Sequence, residues 1–326
     1  MILNVAVIGL GNISLLYDDK KETQTVLSHV KALYKNKNFT LKYCVDIDTT
    51  NKIKVEEFFP TVSFYTDISI IENNNDIDIV VLATPTSTHF EIFEKLKKNK
   101  NIQYFLIEKP LFDRKHTLDF FDKSIEKKLI INYIRVFEPN IQEFQKQIDT
   151  LLFGEPQKII GTYTKGIKNN GSHFISLINF LFNNPKIHDI KILSSQKGIE
   201  NDLTLDIMAI VEYKEKQIPF YLIGLDESKY SVFDIDFYFE KAKVRIEDTA
   251  KTLTIKKATQ DTIYSDYTTL VDTKKVLLDF DNIMKYPYEY VYNILHKNTF
   301  QIDFVEHERK NIEFYKHLEQ KEFNNE

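Results

Sequence analysis

The sequence predicts two structural classes in one chain. Residues 1–134 read as an α/β domain on a parallel sheet, and residues 135–326 as an α+β domain on a large, mainly antiparallel open sheet. Three observations carry this expectation. The apolar run Val5-Ala6-Val7-Ile8 ends in Gly9-Leu10-Gly11-Asn12-Ile13-Ser14, a buried strand followed at once by closely spaced glycines. Strand runs and helical spacings then alternate as far as Ile134. From about Gln157 the apolar residues change to period two.

Element by element, the glycine turn is followed by the polar stretch Tyr17-Asp18-Asp19-Lys20-Lys21-Glu22-Thr23, read as an exposed insertion within Leu15 to Thr25. Helical spacing resumes at Val26-Leu27, Val30 and Leu33. Leu41 to Val45 forms a second strand ending at Asp46, Ser63-Phe64-Tyr65 an edge strand, and Ile77 to Ala83 a third clear strand. Phe90, Phe93 and Leu96 mark the next helix, and Ile102 to Ile107 a strand ending at Glu108-Lys109-Pro110. Leu118, Phe121 and Ile125 line one helix face before a final strand, Leu129 to Ile134. Such alternation implies a parallel sheet covered on both faces.

In the second half, Leu205, Ile207, Ala209 and Val211 alternate with polar neighbours, as do Phe233 to Phe239, Val244 and Ile246, and Leu253 and Ile255. Lys214-Glu215-Lys216 and Lys241-Ala242 mark turns. Phe174 to Phe182 is apolar nearly all round and reads as a buried helix, while Ile302, Val305, Ile312, Tyr315 and Leu318 trace a helix near the end.

Composition excludes several classes. The net charge of -5 comes with lysines and acids interspersed, so no concentrated basic patch invites nucleic acid. The single cysteine, Cys44, cannot form an internal disulfide and sits in an apolar strand pattern, which suits a reducing cytoplasm. No signal-peptide pattern and no apolar run of transmembrane length is present, so a soluble protein with no membrane partner is expected.

In parallel sheets ligands collect outside the carboxyl ends of the strands. A strand running into glycines brings backbone amides, among them those of Gly9, Gly11, Asn12 and Ile13, against a pyrophosphate, and the opening helix adds its positive end. Two of the three fingerprint glycines are present, with Ser14 at the third position; glycine turns of this kind also occur without ligands. Asp46 is placed to accept hydrogen bonds from an adenosine ribose, or else caps a loop. No arginine follows it to receive a 2′-phosphate, which favours NAD over NADP.

The glycine turn, Ala83-Thr84-Pro85-Thr86-Ser87-Thr88-His89 and Glu108-Lys109-Pro110, in this order, resemble the Gfo/Idh/MocA family of NAD(P)-dependent oxidoreductases. Ser28-His29-Val30-Lys31-Ala32-Leu33, Asn132-Tyr133 with Arg135, and Asn170-Gly171-Ser172-His173 extend the likeness over essentially the whole chain. The resemblance implies a Rossmann domain followed by a mixed domain with a mainly antiparallel sheet, an active site in the cleft between them, and a homodimer or homotetramer formed through the open sheet. It also implies hydride transfer between nicotinamide and a secondary alcohol or ketone of a sugar or nucleotide sugar, with a loose association with surface-polysaccharide biosynthesis. The insertion departs from the commonest form of the family.

On that basis Lys109 is the first candidate proton carrier, because partial desolvation at a strand end lowers a lysine's hold on its proton. The competing reading is an ion pair. His173 is the second, since an imidazole relays protons near neutral pH. Glu108 and Pro110 help shape the nicotinamide pocket. Thr84, Pro85, Thr86 and His89 would wall the cofactor site, with capping the alternative for His89. Asn132 and Tyr133 reach the nicotinamide and substrate side. Arg135 holds an anionic substrate group or a salt bridge, and Lys165 and Lys168 are candidate phosphate contacts or solvated loop lysines. Asn170 holds a substrate hydroxyl or shapes the turn. Asn169 stands where many dehydrogenases of the family carry aspartate, and an amide orients a hydroxyl without accepting its proton. Two alternatives follow: a redox-neutral sugar-modifying enzyme that retains NAD, and a non-catalytic NAD- or sugar-sensing regulator. No metal is implied.

Overall fold

The computed structural model describes residues 2–18, 23–112, 118, 121–198, 202–297 and 301–322. The chain divides into two compact units, Met1–Phe137 with Asp281–Glu308, and Glu138–Phe280 with Arg309–Glu326.

The first unit holds six strands: β1 (Leu3–Ile8), β2 (Phe39–Val45), β3 (Ser63–Tyr65), β4 (Ile79–Leu82), β5 (Tyr104–Ile107) and β6 (Leu129–Ile131). They lie in the order β3-β2-β1-β4-β5-β6, every pair parallel. All four residues of β4 are buried, as are all of β6, which is why these runs read as continuously apolar: a parallel sheet is covered on both faces. The crossovers contain α1 (His29–Lys35), α2 (Asn51–Phe58), α3 (Ser69–Asn73), α4 (Thr86–Leu96) and α5 (Lys123–Glu126). α5 is shorter than the helix face expected from Leu118, Phe121 and Ile125: Leu118 and Phe121 precede it, and residues 113–117 and 119–120 lie outside the described residues. Asp122 starts it by accepting from the N–H groups of Ser124 and Ile125.

The second unit carries α6 (Pro139–Asp149), α7 (Ser172–Leu181) and eight strands: β7 (Pro156–Tyr163), β8 (Lys186–Lys197), β9 (Leu203–Tyr213), β10 (Lys216–Gly224), β11 (Phe233–Phe239), β12 (Ala242–Glu247), β13 (Thr252–Gln260) and β14 (Thr268–Leu277). Their order is β14-β13-β12-β11-β7-β10-β9-β8, antiparallel except for the parallel pair of β7 and β10. The alternation of β11, buried at every odd residue number from Phe233 to Phe239, is the period-two signal of a sheet with one face on a core. Lys214 and Glu215 both have positive φ, 46° and 66°, giving the tight turn whose twist matches a two-residue hairpin. α7 closes the core: the Phe174 ring lies 3.9 Å from that of Phe233, and Phe182, just past the helix, packs edge-on to Tyr213. Truncating a ring buried like Phe174 costs about 3–5 kcal/mol.

Two further helices complete the chain, α8 (Lys285–His296) and α9 (Phe304–Glu322). The observed division differs from a single boundary at residue 134, because residues 281–308 return to the parallel-sheet unit. Asp281 accepts from the Val26 N–H at 2.8 Å, and the Tyr288 ring meets Phe39 at 5.5 Å. An apolar helical pattern states that a face is buried, not which core receives it. Among the described residues no helix is long and apolar enough to cross a membrane.

Candidate functional site

At the end of β1 the chain turns sharply against β4. Gly9 has φ +87°, and a Cβ there would stand 2.7 Å from the Ala83 carbonyl oxygen, so no larger residue fits this approach. Residues 11 to 15 make one helical turn, with Leu15 N–H donating to Gly11 O at 2.9 Å. The opening helix expected directly after the glycines is split. α1 starts only at His29, yet its first amides continue the same helical turn, His29 N–H donating to Ile13 O and Val30 N–H to Ser14 O. The insertion is thus spliced into a helix without removing the helix's leading end. Among the described residues the N–H groups of Gly11, Asn12 and Ile13 donate to no partner, and a Cβ on Gly11 would meet nothing within 4 Å. Free amides at a turn with open space beside them form a cradle for an anion, and they fit the pyrophosphate of a dinucleotide.

The insertion is not simply exposed. Leu15 and Asp18 are buried, and the Asp18 carboxylate accepts from Leu27 N–H at 2.5 Å, Ser28 N–H at 2.7 Å and the Thr25 hydroxyl at 3.1 Å. Lys31 is also buried, its Nζ donating to Thr23 Oγ1 at 2.6 Å. A run of charges looks solvated in one dimension; here Asp18 of that run turns inward, as does Lys31 of α1, because the loop folds back on the start of α1. Residues 19–22 lie outside the described residues. Ser14, at the third glycine position, is buried.

Asp46 sits at the end of β2 with Oδ2 accepting from Leu10 N–H at 2.5 Å and Oδ1 from Asp48 N–H at 2.8 Å. Its carboxylate therefore fastens the glycine turn. At the end of β4, Thr84 and Thr86 are half-buried and Pro85 exposed, and the Thr88 hydroxyl lies 2.7 Å from Thr84 Oγ1. His89 neither caps α4 nor reaches outward. It is buried with Nδ1 3.0 Å from Leu111 O and Nε2 2.8 Å from Thr84 O, a strut between two loops.

A polar cluster lies at the ends of β5 and β6. Glu108 Oε1 accepts from Asn132 Nδ2 at 2.5 Å and lies 3.0 Å from His29 Nε2, while His29 Nδ1 lies 2.9 Å from the Tyr288 hydroxyl. Burial first, then the charge of Glu108, pushes the Tyr288 phenol well above the ordinary tyrosine range. Asn132 Oδ1 is buried and, among the described residues, accepts no hydrogen bond. Such an orphaned acceptor at a strand end fits a carboxamide N–H. Lys109 follows, half-buried, joined to Pro110 by a cis bond.

Tyr133, expected near substrate, is instead a core residue. Its hydroxyl donates to the buried Glu308 at 2.8 Å and its ring packs 5.3 Å from His307, whose imidazole burial pulls down to about 3. β6 ends at Ile131, and Tyr133 points into the cover that the start of α9 supplies from far along the chain. Arg135 is half-buried on a single turn of helix, Ile134–Phe137, and desolvation pulls its guanidinium down to about 10, still cationic at neutral pH.

In the second unit Lys168, Asn169 and Asn170 occupy a wide helical turn, Gly166–Gly171, that Lys165 precedes and that leads into α7. Asp202 holds it: both carboxylate oxygens lie 3.0 Å from the Lys168 N–H, and Asn169 N–H donates to Oδ2 at 2.8 Å. Lys165, Lys168 and Asn169 are exposed, whereas Asn170 and His173 are half-buried. Sequence reasoning missed Asp202, Tyr288 and the role of His29. Only His29 left a signal, a histidine set directly after the capping Ser28 at the start of α1.

Residues 3–128 match the Gfo/Idh/MocA family, described as "Oxidoreductase family, NAD-binding Rossmann fold". No curated protein matches the chain. Similar folds occur in a Desulfitobacterium hafniense protein assigned as an NADPH-dependent oxidoreductase, with 15% identity, 96% of this chain and 93% of that one covered, and a TM-score of 0.73. The super-repressor mutant of Gal80p from Saccharomyces cerevisiae is 13% identical over 97% and 96% of the two chains, with a TM-score of 0.72. KijD10, a 3-ketoreductase from Actinomadura kijaniata in complex with NADP, is 13% identical over 96% and 95%, with a TM-score of 0.65.

Proposed function

We propose that this chain, whose residues 3–128 match the Gfo/Idh/MocA oxidoreductase family, is an NAD-dependent oxidoreductase acting on a secondary alcohol or ketone of a sugar or nucleotide sugar. The observation that carries the reading is the cradle of free amides at Gly11, Asn12 and Ile13, at the end of the central strand of a β3-β2-β1-β4-β5-β6 sheet. NAD is favoured over NADP because Asp46 and Asp48 stand at the end of β2 with no arginine beside them, and two carboxylates repel a 2′-phosphate. When bound, the nicotinamide supplies a two-electron hydride acceptor or donor.

The protein's own part is positioning and proton transfer. In the oxidative direction the carbinol carbon loses hydride, and its hydroxyl proton passes to the neutral amine of Lys109, leaving a carbonyl; reduction reverses both movements. His173 is the second proton carrier, and Asn169 and Asn170 orient substrate hydroxyls through their amides. Lys165, Lys168 and Arg135 supply cationic contacts for a phosphorylated or nucleotide-linked substrate. We place the enzyme in the cytoplasm, in surface-polysaccharide biosynthesis, as a homodimer or homotetramer. The outward sheet face, with half-buried Ile160, Ile210, Tyr221 and Tyr238, supports the last point.

The test follows NADH absorbance with NAD and a panel of sugars and nucleotide sugars, for the wild type and Lys109→Ala. General acid–base removal is expected to lower kcat by about 10²–10⁴-fold. Turnover that survives Lys109→Ala overturns the role of Lys109. Asn169 favours a second reading, a regulator that binds cofactor without turnover, because an amide stands at that position; cofactor binding with no conversion of any substrate would select it.

A further inference from the structure

His29 is completely buried yet engages a polar atom with each ring nitrogen, and neither contact belongs to the chemistry above. Tyr288, also fully buried, has no hydrogen-bond partner among the described residues other than His29 Nδ1. The Glu108 carboxylate only accepts, so Nε2–H of His29 donates to Oε1, while Nδ1 meets the Tyr288 hydroxyl on the other side of the ring. Asn132 Nδ2 donates to the same oxygen. Oε1 is thereby clamped from two sides. The Glu108 side chain keeps 14% of its surface, and among the described residues Oε2 has no hydrogen-bond partner.

The place of this carboxylate in the sheet decides what it serves. In a β3-β2-β1-β4-β5-β6 order a dinucleotide lies across the point where the order reverses, between β1 and β4. Asp46 at the end of β2 is on the adenosine side. Glu108 and Asn132, at the ends of β5 and β6, are on the nicotinamide side.

We infer that His29 and Tyr288 are positioning residues for the nicotinamide half of the cofactor: they fix Glu108 in one rotamer so that its free oxygen, Oε2, meets a hydroxyl or carboxamide donor of the nicotinamide riboside. This rests on the dinucleotide reading. A buried imidazole serves the purpose because it can receive a proton on one side and donate on the other while its ring packs edge-on to Tyr288, with centroids 5.9 Å apart. Tyr288 comes from the segment that returns to the parallel-sheet unit, 259 residues beyond His29, which gives that return a function besides covering a core.

The experiment measures the Kd of two probes, NADH by its fluorescence and ADP by competition and calorimetry, for the wild type, His29→Leu, His29→Gln and Tyr288→Phe. NADH carries the nicotinamide riboside and ADP lacks it. His29→Leu and Tyr288→Phe are expected to weaken NADH by about tenfold, the effect of one lost hydrogen bond, with ADP unchanged. His29→Gln, whose amide can still donate to Glu108, is expected to restore NADH affinity to within about threefold of wild type. Unchanged NADH binding in His29→Leu and Tyr288→Phe overturns the inference, as does equal weakening of both probes without rescue by His29→Gln, the mark of a merely structural role. Wild-type protein that binds neither probe overturns the dinucleotide reading itself, an outcome distinct from both.

Discussion

The two units differ in what they bury. Among the described residues the parallel-sheet unit encloses the acidic, basic and imidazole side chains of Asp18, His29, Lys31, His89, Glu126, His307 and Glu308, whereas the antiparallel unit encloses Glu138 alone of these types. The difference follows from where each sheet carries its polar work. Strand ends of a parallel sheet come together under loops, and those loops need side chains to tie them: Asp46 to Leu10, Asp18 to Leu27 and Ser28, His89 between two carbonyls. The antiparallel sheet satisfies its backbone by hairpin pairing and buries rings under α6 and α7. Its one candidate substrate segment is tied by the Asp202 carboxylate to the amides of Lys168 and Asn169, with Thr204 accepting from Gly166 N–H at 3.2 Å and the Tyr315 hydroxyl donating to Ile167 O at 2.8 Å. Carboxylate and imidazole groups carry those ties of the first unit, whereas in this turn Asp202 is the one charged tie among the described residues.

Acid should expose this asymmetry most strongly. Burial lowers His307 from the ordinary 6.5 to about 3, so between those values the unfolded chain binds a proton that the folded unit refuses. Stability from this group is intact above pH 6.5 and is lost as pH falls, by about 3 kcal/mol at pH 4. Hydrogen exchange at pH 7 and pH 4 should show β1, β4 and β5 losing protection while β9 and β10 keep theirs, and His307→Phe should flatten the loss. Equal loss in both units would break the comparison.

Two turn glycines give the next test, and they separate backbone from side-chain restraint. Gly9→Ala forces a Cβ onto the Ala83 carbonyl at positive φ, where nothing flexible can yield. A loss of about 2 kcal/mol or more is expected in urea unfolding. The matching turn in the second unit begins at Gly166, φ +73°, where a Cβ would meet the Asp202 carboxylate, a side chain that can swing aside. Asp202→Ala removes that tether outright. It should cost about 1 kcal/mol and release the amides of Lys168 and Asn169 to exchange, with β1 unaffected. Loss of protection spreading through the whole second unit would mean that the Asp202 tether supports more than the turn.

The elements that were legible in the sequence share a cause. Hydrophobic period reports which residues are inside, so the strands at Leu3–Ile8, Ile79–Leu82 and Phe233–Phe239 and the helix at Ser172–Leu181 could be read directly. The glycine turn and Asp46 were legible because strand-end chemistry is local. Polar partnerships were not. Glu108 meets His29 across 79 residues and Lys168 meets Asp202 across 34, distances that sheet order sets and no local pattern reports. Tyr133 was misplaced for the same reason, since the acid that receives its hydroxyl, Glu308, lies 175 residues away.

The smallest expected change in stability is at Gly11, and it sharpens the comparison from the other side. A Cβ there meets nothing within 4 Å, so Gly11→Ala should shift the urea midpoint by less than about 0.5 kcal/mol of stability. The open space is the point: where Gly9 is excluded from substitution by the protein's own backbone, Gly11 is free of it and leaves room only for something that approaches from outside. A methyl group in that room stands between the free amides and an incoming phosphate. NADH and ADP should therefore both weaken in Gly11→Ala, by about tenfold, because they share the pyrophosphate. A variant that keeps both stability and affinity would mean that the amides of Gly11, Asn12 and Ile13 do not hold the anion.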